Sequence, residues 1–383
     1  MDYHFPFYLS EDQEARARKL HDDAIVIDMV NMGVGGPAIY RAPDLSGMAA
    51  NVFDKDDLLR SIGMAQLLPY QTAGMGGNAD IKTFWDEAGL TAASFTWPGI
   101  NDDTIKLFKT LVFPIFEQLD WIVVAKTPDD IRRAKAEGRH AIYWYCQPQF
   151  GTGLSPDLNQ YAKARDLGLM SLMLTYNNLD ITGAGCIERA DPGLSYFGID
   201  LIGKCEEVGL LVDVSHCGHK TTLDACKFAT KPVTANHICA GAIYDCHRSK
   251  TDEEMLAVVE TGGIVGVVSV PFFLTDRQNP SIEIMLDHME HIIGVVGAEN
   301  VGIATDWPFQ APRDFVDRSF VAHSAAMGFR PEDNVTSAPL RGIEDSRSLR
   351  NVTRGLIKRG YSDADISGIL GANYLRVLDA VAV

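Results

Sequence analysis

The sequence predicts an α/β protein built as a (β/α)8 TIM barrel, with an insertion after the first strands and a helical tail at the C-terminus. Three observations support this fold class. Short apolar runs alternate with longer helical patterns along most of the 383 residues. Two of these runs end at a histidine, which is typical of buried parallel strands with a polar tip. No GxGxxG motif follows the first run, which disfavours the alternative, an open doubly wound sheet.

Eight apolar runs bounded by polar or turn residues are predicted to be the barrel strands. In chain order they are Ala24–Val30, Ile62–Leu68, Ala141–Tyr145, Leu169–Thr175, Leu210–Val214, Pro232–Ala235, Gly263–Val268 and Asn300–Ala304. The helical patterns between them include Asp157–Leu167, Gly198–Val208, Lys220–Ala229 and Asp252–Thr261.

The rest of the chain is assigned to an insertion and a tail. Residues 44–116 are rich in glycine, methionine and aromatic residues, and predict an insertion that acts as a lid over the pocket. Residues 346–383 predict C-terminal helices with a turn at Arg359-Gly360-Tyr361. No linker rich in proline, glycine or serine divides the sequence, so residues 1–383 are expected to form a single domain.

Composition excludes several classes of partner. The net charge of −17 and the pI of about 4.9 disfavour nucleic acid and anionic membranes. No apolar run has the length of a membrane span, and the start of the chain lacks the features of a secretory signal. Seven cysteines without a CxxC pair are typical of reduced thiols in the cytoplasm. We therefore expect a cytoplasmic protein that acts on a small molecule.

Candidate functional residues follow the predicted strands, at the end where the active site of such a barrel lies. His216 and His237 end strands five and six, and neutral imidazole is a common zinc ligand. Asp306 on strand eight could accept a proton from water or join the ligand set, although an aspartate in a loop is more often a cap. Arg248 could bind a substrate carboxylate, and an exposed surface arginine is an equally weighted alternative.

Three more polar residues lie at the predicted mouth. Tyr176 follows strand four, and we expect it to serve as an acid or base beside the histidines. Gln147 follows strand three and Asn31 follows strand one, and both are expected to contact substrate. Aromatic residues near the mouth indicate a flatter or more apolar substrate, with packing inside the barrel as the alternative.

Several sequence blocks resemble the membrane (renal) dipeptidase family of metal-dependent amidohydrolases. They are PGLSYFG at 192–198, GLLVDVSH at 209–216, PVTANH at 232–237 with HR at 247–248, GGIVGV at 262–267, VGIATD at 301–306, and NVT to GANYLR between 351 and 376. The resemblance implies that His216 and His237 are zinc ligands, that Arg248 grips the substrate carboxylate and that Asp306 assists catalysis. It also implies a homodimer.

The sequence departs from the family pattern at three of the five metal-ligand positions. Val30-Asn31-Met32 stands where the family has His-x-Asp, and Gln147 stands where it has a bridging glutamate. Valine has no donor atom, methionine is too soft for a hard dizinc site, and a neutral glutamine bridges two cations poorly. We therefore do not expect a dinuclear site of the usual kind.

Three functions remain open. The preferred one is a dipeptidase-like hydrolase in which His216, His237 and Asp306 hold one divalent ion, with zinc favoured, and the substrate is a small molecule with a carboxylate. The second is a metal-free acid–base enzyme of the lyase, decarboxylase or isomerase type. The third is a non-catalytic small-molecule binding protein. Retention of both histidines together with Arg248 and Asp306 argues against the third.

Overall fold

The structure is a computed structural model, and it describes residues 4–34, 67–76, 80–148, 153–306, 316–322 and 324–383. In these ranges ten strands form one sheet in which every pairing is parallel. The strands are β1 Ile27–Asp28, β2 Ala92–Trp97, β3 Ile122–Val124, β4 His140–Cys146, β5 Leu169–Met173, β6 Leu211–Asp213, β7 Val233–Ala240, β8 Ser249–Lys250, β9 Ile264–Val267 and β10 Val301–Ile303.

Helices alternate with these strands. The α-helices of the described ranges include Glu11–Asp23, Asp80–Ala88, Asp102–Leu107, Phe113–Glu117, Pro128–Ala136, Asn159–Asp166, Tyr196–Val208, His219–Phe228, Asp252–Glu260, Pro271–Leu274, Ile282–Val296, Arg350–Lys358, Asp363–Ser367 and Asn373–Val381. Residues 67–74 are also helical. In the part of the chain that the structure describes, no helix combines the length and the apolar character that crossing a bilayer requires.

The sheet closes into a barrel. Eight strands follow one another in the order β1-β2-β4-β5-β6-β7-β9-β10, while β3 pairs with β4 and β8 with β7. The first and last strands of this order meet, since the Met29 N–H donates to the Ile303 carbonyl (2.9 Å) and the Asp306 N–H donates to the Val30 carbonyl (2.8 Å). The predicted (β/α)8 TIM barrel is therefore confirmed, and the carboxyl ends of its strands share one mouth.

The predicted second strand, Ile62–Leu68, is wrong where the structure describes it. Leu67 and Leu68 belong to a helix, and residues 62–66 lie outside the described ranges. The second barrel strand is β2, which lies within the segment predicted to be an insertion. Its sequence AASFTW mixes small, polar and aromatic residues, so no continuous apolar run marked it. It is nonetheless largely buried, because the neighbouring strands and the surrounding helices cover it.

Two other strands differ in length from the prediction. β1 covers only two residues of the predicted Ala24–Val30. β7 continues past His237 to Ala240, so this histidine lies inside a strand rather than at its end. The register of β7 against β9 shifts between Ala235 and Ile238, and such a bulge re-aims the side chains within it. The bulge therefore lets His237 point to the site although the strand continues.

The C-terminal tail is helical on both sides of the predicted turn. Arg350–Lys358 precedes it, and Asp363–Ser367 and Asn373–Val381 follow it. The Asn373 amide donates to the carbonyl of Val301 at 2.9 Å. Tyr374 and Leu375 pack with the buried barrel residues Ile27 and Tyr143. The tail thus belongs to the packed barrel rather than to a separate unit.

Candidate active site

Two buried imidazoles face each other at the mouth. His216 follows β6 by three residues, and His237 lies in the neighbouring β7. Their Nε2 atoms are 2.9 Å apart. Two imidazoles that bind one zinc ion at about 2.0 Å with a tetrahedral angle have nitrogens roughly 3.3 Å apart. A movement of a few tenths of an ångström would therefore make room for one ion between these rings.

Asn177 fixes the tautomer of His216. Its Nδ2 donates to the Met327 carbonyl at 2.8 Å, which sets the orientation of the amide. Its Oδ1 then lies 2.7 Å from His216 Nδ1 and can only accept, so this ring nitrogen carries the proton. The lone pair of Nε2 consequently faces His237. A ring whose other N–H is held by an oxygen is the usual arrangement for a metal-binding histidine.

His237 has a matching partner in Asn236. The Asn236 Oδ1 lies 2.5 Å from His237 Nδ1, which places the proton there and leaves a second Nε2 lone pair in the gap. Burial, with the charge of Arg248, holds the pKa of both imidazoles well below the usual range, so both rings are neutral. Two lone pairs at this distance repel each other unless a cation or a shared proton lies between them. Asn236 Nδ2 has no hydrogen-bond partner in the described residues. If this amide were reversed, its N–H would donate to His237 Nδ1, and the ring proton of His237 would then lie on Nε2, between the two rings.

A buried hydrogen-bond network supports β6 and β7 behind the histidines. Tyr145 donates to Asp213 at 2.5 Å, and Ser215 Oγ donates to the same carboxylate at 2.7 Å. The backbone N–H of Asn236 also donates to Asp213, at 3.0 Å, and that of His237 donates to Ser215 Oγ at 3.1 Å. Because one carboxylate joins three strands, the two histidines are held in a fixed relative position.

Arg248 lies against the backbone of both histidine strands. Its guanidinium donates to the Ser215 carbonyl at 2.5 Å and to the His237 carbonyl at 3.1 Å. It also lies 5.2 Å from the Phe273 ring centroid, and only 2% of the residue is exposed. Its Nε has no hydrogen-bond partner among the described residues. The surface arginine that the sequence left open is therefore excluded.

Asp306 lies at the end of β10 in an unusual backbone conformation. Its φ is +48°, which few residues other than glycine adopt. Burial raises the pKa of its carboxyl to about 7; Arg248 opposes this rise, while Asp28 and Asp213 add to it. The group is therefore close to half protonated near neutral pH, which suits it to take up and release a proton.

Asp28 holds the loop that carries Asp306. Its carboxylate accepts from the Thr305 N–H (2.8 Å) and the Thr305 hydroxyl (2.6 Å). The amide of Asn31 donates to the same carboxylate at 2.6 Å. Asn31 was predicted to contact substrate, but its amide group is committed to this buried link, and its Oδ1 has no partner in the described ranges. Burial raises the pKa of Asp28 to about 6.

Tyr176 and Gln147 complete the mouth. The Tyr176 ring stacks on His216, with centroids 4.3 Å apart. Burial raises the pKa of Tyr176, so it stays a neutral phenol. Gln147 is buried, and its Nε2 lies 3.5 Å from His237 Nε2. An amide N–H that points into the gap between the two imidazoles is attracted by a nitrogen lone pair and repelled by a cation. This contact therefore favours a gap without a metal ion.

The donor set does not fit the two-metal centre of the family that the sequence resembles. Val30 and Met32, which the resemblance aligns with two ligand positions, are buried apolar residues, and Gln147 offers no bridging carboxylate. Over the described residues, no group of three or more His, Cys, Asp or Glu side chains is placed to hold an ion. Of the three predicted ligands the structure brings together His216 and His237, and the Asp306 carboxyl interacts electrostatically with Arg248.

Sequence reasoning missed the residues that orient the histidines and hold the loop of Asp306. Asn177, Asn236 and Asp28 each lie in or beside a predicted strand, yet none carried an assigned role. The available signal was position, since each is a polar residue at or near the carboxyl end of a buried strand. Among the aromatic residues predicted near the mouth, Trp307, which follows Asp306 in the sequence, lies outside the described residues.

Comparison with known proteins gives a consistent result. The model of the membrane dipeptidases, peptidase family M19, matches residues 102–323 and 324–383. Dipeptidase tcpJ of Claviceps purpurea (strain 20.1) is 24% identical over 329 residues, covering 81% of this chain and 71% of that protein. Dipeptidase verJ of Clonostachys rogersoniana is 27% identical over 217 residues, covering 56% of this chain and 49% of that protein.

Two solved structures share the fold. An amidohydrolase from Pseudomonas aeruginosa has a TM-score of 0.72 and 24% identity, covering 95% of this chain and 98% of that chain. A metallopeptidase from Rhodobacter sphaeroides, bound to a phosphinate mimic of the dipeptide L-Ala-D-Ala, has a TM-score of 0.67 and 17% identity, covering 94% and 100%. At these identities the likeness concerns the fold alone.

Proposed function

The chain belongs to the membrane dipeptidase family, and we propose that it is a hydrolase that cleaves an amide or related bond of a small carboxylate-bearing substrate, using at most one metal ion. The observation that carries this proposal is the pair of imidazole Nε2 atoms 2.9 Å apart on neighbouring strands. Arg248 and Asp306, whose charges act on each other, supply the other groups that such a reaction requires. The chain is thus a hydrolase of this family with a reduced site.

A single divalent ion would be held by His216 and His237, with Asp306 as the candidate third ligand. Zinc is the favoured metal because two neutral imidazoles and a carboxylate are typical of its catalytic sites. When bound, such an ion lowers the pKa of water and polarises the scissile carbonyl. A second ion is not part of the proposal, since Val30, Met32 and Gln147 replace its ligands.

The chain's own residues have separate tasks. Arg248 binds the substrate carboxylate, and its Nε–H is a buried donor that no described residue uses. Where Asp306 is not a ligand, it takes a proton from the attacking water and passes it to the leaving amine, because a carboxyl group with a pKa raised to about 7 can act in both directions. Tyr176 stays protonated on its stack with the His216 ring, so its hydroxyl can act as a hydrogen-bond donor at the mouth.

The test combines metal content with activity. Protein purified without chelator is analysed by plasma mass spectrometry and assayed with dipeptides, including L-Ala-D-Ala in view of the ligand of the Rhodobacter protein. We expect about one equivalent of a divalent metal. The variant His216→Ala should lose metal and activity, while the control His291→Ala, a partly exposed helix histidine paired with Asp252, should keep both. Two equivalents of metal, or normal turnover by His216→Ala, would refute the proposal.

A metal-free acid–base enzyme is the second candidate. Two observations favour it: the described residues bring no three metal-binding side chains together, and the Gln147 amide is directed at the histidine pair. In that case a proton shared by His216 and His237 occupies the gap, and Asp306 acts as the acid or base. Full activity in metal-free protein after chelation, with a substrate that undergoes elimination, decarboxylation or isomerisation, would favour this candidate over the first.

Cytoplasmic location and assembly as a homodimer are further parts of the proposal. The first is supported by the reduced state of all seven cysteines, and the second by the family. Light scattering coupled to size-exclusion chromatography tests the dimer, with a single species of 42.0 kDa as the result that would contradict it.

A further inference from the structure

Two cysteines lie next to the segments that hold His237 and Arg248. Cys239 follows His237 by two residues in β7, and Cys246 precedes Arg248 by two. Their sulfur atoms are 3.9 Å apart. Cys246 Sγ also lies 3.6 Å from the Phe273 carbonyl, and the ring of Phe273 packs against Arg248. The thiol pair is thus connected to the residue proposed to bind the substrate carboxylate.

We propose that Cys239 and Cys246 are a redox modification site, at which a peroxide forms a reversible disulfide that changes the position of Arg248. Formation of the bond does not depend on the proposed function. The effect of the bond on substrate binding does rest on the proposed function, because it is exerted through the role of Arg248.

The geometry favours this pair over other thiols. A disulfide has a sulfur–sulfur distance of about 2.05 Å, so the two atoms must approach by nearly 2 Å. Only residues 240–245 separate the cysteines, and this connection follows β7 directly. Cys246 is partly exposed, whereas Cys239 is fully buried. Peroxide can therefore reach Cys246 first, and Cys239 is placed to react second.

The electrostatics agree with Cys246 as the first thiol to react. The hydrogen bond between the two thiols, with contributions from Arg248, lowers the pKa of Cys246. A thiolate is the nucleophile in reactions with peroxide.

The reaction balances with hydrogen peroxide as the oxidant. The Cys246 thiolate attacks one peroxide oxygen, the O–O bond breaks and hydroxide leaves, which gives a sulfenic acid. The sulfur of Cys239 then attacks the Cys246 sulfur, the S–O bond breaks and the oxygen leaves as water. In total two thiols lose two electrons and two protons, and one peroxide becomes two waters. A dithiol reductant reverses the change.

The disulfide is expected to weaken substrate binding. The guanidinium of Arg248 is positioned by the carbonyls of Ser215 and His237. Pulling Cys246 toward Cys239 shifts the backbone at Arg248, two residues further along the chain, and disturbs these contacts. We expect the KM of a carboxylate substrate to rise roughly twofold to tenfold, the range that loss of one hydrogen bond gives.

Trypsin provides a direct test of the bond. Cleavage after Lys227 and Arg248, with the Lys231-Pro232 bond resistant, releases residues 228–248, which contain Cys239 and Cys246 and no other cysteine. After peroxide treatment and alkylation, this peptide should lose two hydrogen masses and carry no alkyl group. Residues 221–227, which contain only Cys226, are the internal control and should be alkylated. Alkylation of both pair cysteines, or a link to the peptide that carries Cys186, would overturn the proposal.

Kinetics test the consequence. Wild-type protein should show the rise in KM after peroxide and recover with dithiothreitol. Cys246→Ser and Cys239→Ala should be insensitive, and Cys226→Ser should respond as the wild type does. If the disulfide forms and KM stays unchanged, the link to Arg248 is refuted while the modification site stands. If no dipeptide is cleaved at all, the mass result still decides the site, and the proposed function fails separately.

Discussion

Removal of the Asn177 side chain tests the orientation of His216. In Asn177→Ala the Nδ1–H of His216 loses its acceptor at 2.7 Å, and the Met327 carbonyl loses its donor at 2.8 Å. Each buried group left without a partner costs about 1–3 kcal/mol. We therefore expect the free energy of unfolding to fall by roughly 2–6 kcal/mol, with a lower Tm.

The substitution should also weaken the site. Loss of the partner that orients a metal-binding histidine typically costs about tenfold to a hundredfold in metal affinity or activity. Zinc affinity is measured by competition with a chromophoric chelator, which requires no knowledge of the substrate. Spectra of protein labelled with ¹⁵N-histidine report the tautomer directly, and His216 should carry its proton on Nδ1 in the wild type only.

Asn178→Ala is the matched control. Asn178 is the next residue along the chain and is exposed. The control should keep the zinc affinity and the tautomer of the wild type. If folded Asn177→Ala binds zinc within about twofold of the wild type and keeps the Nδ1–H tautomer, the hydrogen bond to Asn177 does not control His216. The argument that this bond directs the Nε2 lone pair of His216 toward His237 then fails.

Four further predictions concern the other groups at the mouth. The pKa of Asp306 is raised to about 7, so the folded state binds the proton of this carboxyl more tightly than the unfolded state does. The resulting contribution to the free energy of unfolding is fully present below about pH 4 and is lost as pH rises through 7. The variant Asp306→Asn should remove that part of the pH dependence of unfolding. The same group as a base predicts that kcat rises with pH through 7, and a flat profile would contradict it. Arg248→Met should raise the KM of carboxylate substrates roughly tenfold or more with little change for their amides, and equal effects on both would remove its assigned role. Restoring His, Asp and Glu at Val30, Met32 and Gln147 should raise zinc uptake from about one to about two equivalents, and unchanged uptake would mean that the assigned positions are wrong.

Prediction from sequence succeeded where a residue's type and its strand agreed. The predicted strands that contain or precede His216, Asp306 and Tyr176 are close to the observed ones, because each is an apolar run with a polar end. It failed at β2, whose buried residues mix small, polar and aromatic types and whose pairing partners are far away in sequence. It also missed the bulge that directs His237, since a shift in register depends on a neighbouring strand. Local pattern cannot supply contacts of that kind.

The hydrogen-bond partners explain why residue type alone gave an incomplete site. Asn31 was assigned to substrate because it follows a strand, yet its amide is bound to Asp28. Asn177 was assigned nothing, although it fixes a proton on the central histidine. Both are asparagines at strand ends, and only the position of a third residue distinguishes them. Such distinctions require the tertiary structure.

The proposed reduction to at most one metal ion changes the charge at the mouth. A dinuclear centre brings four positive charges to a pocket, whereas a single divalent ion brings two. Arg248 is a buried cation against both histidine strands, while the nearby Lys250 is paired with Glu254 at 2.9 Å. Attraction of a substrate carboxylate therefore depends on Arg248 more than it would beside two metal ions. Asp306 lies in the same field: burial raises the pKa of its carboxyl to about 7, although the charge of Arg248 opposes the rise.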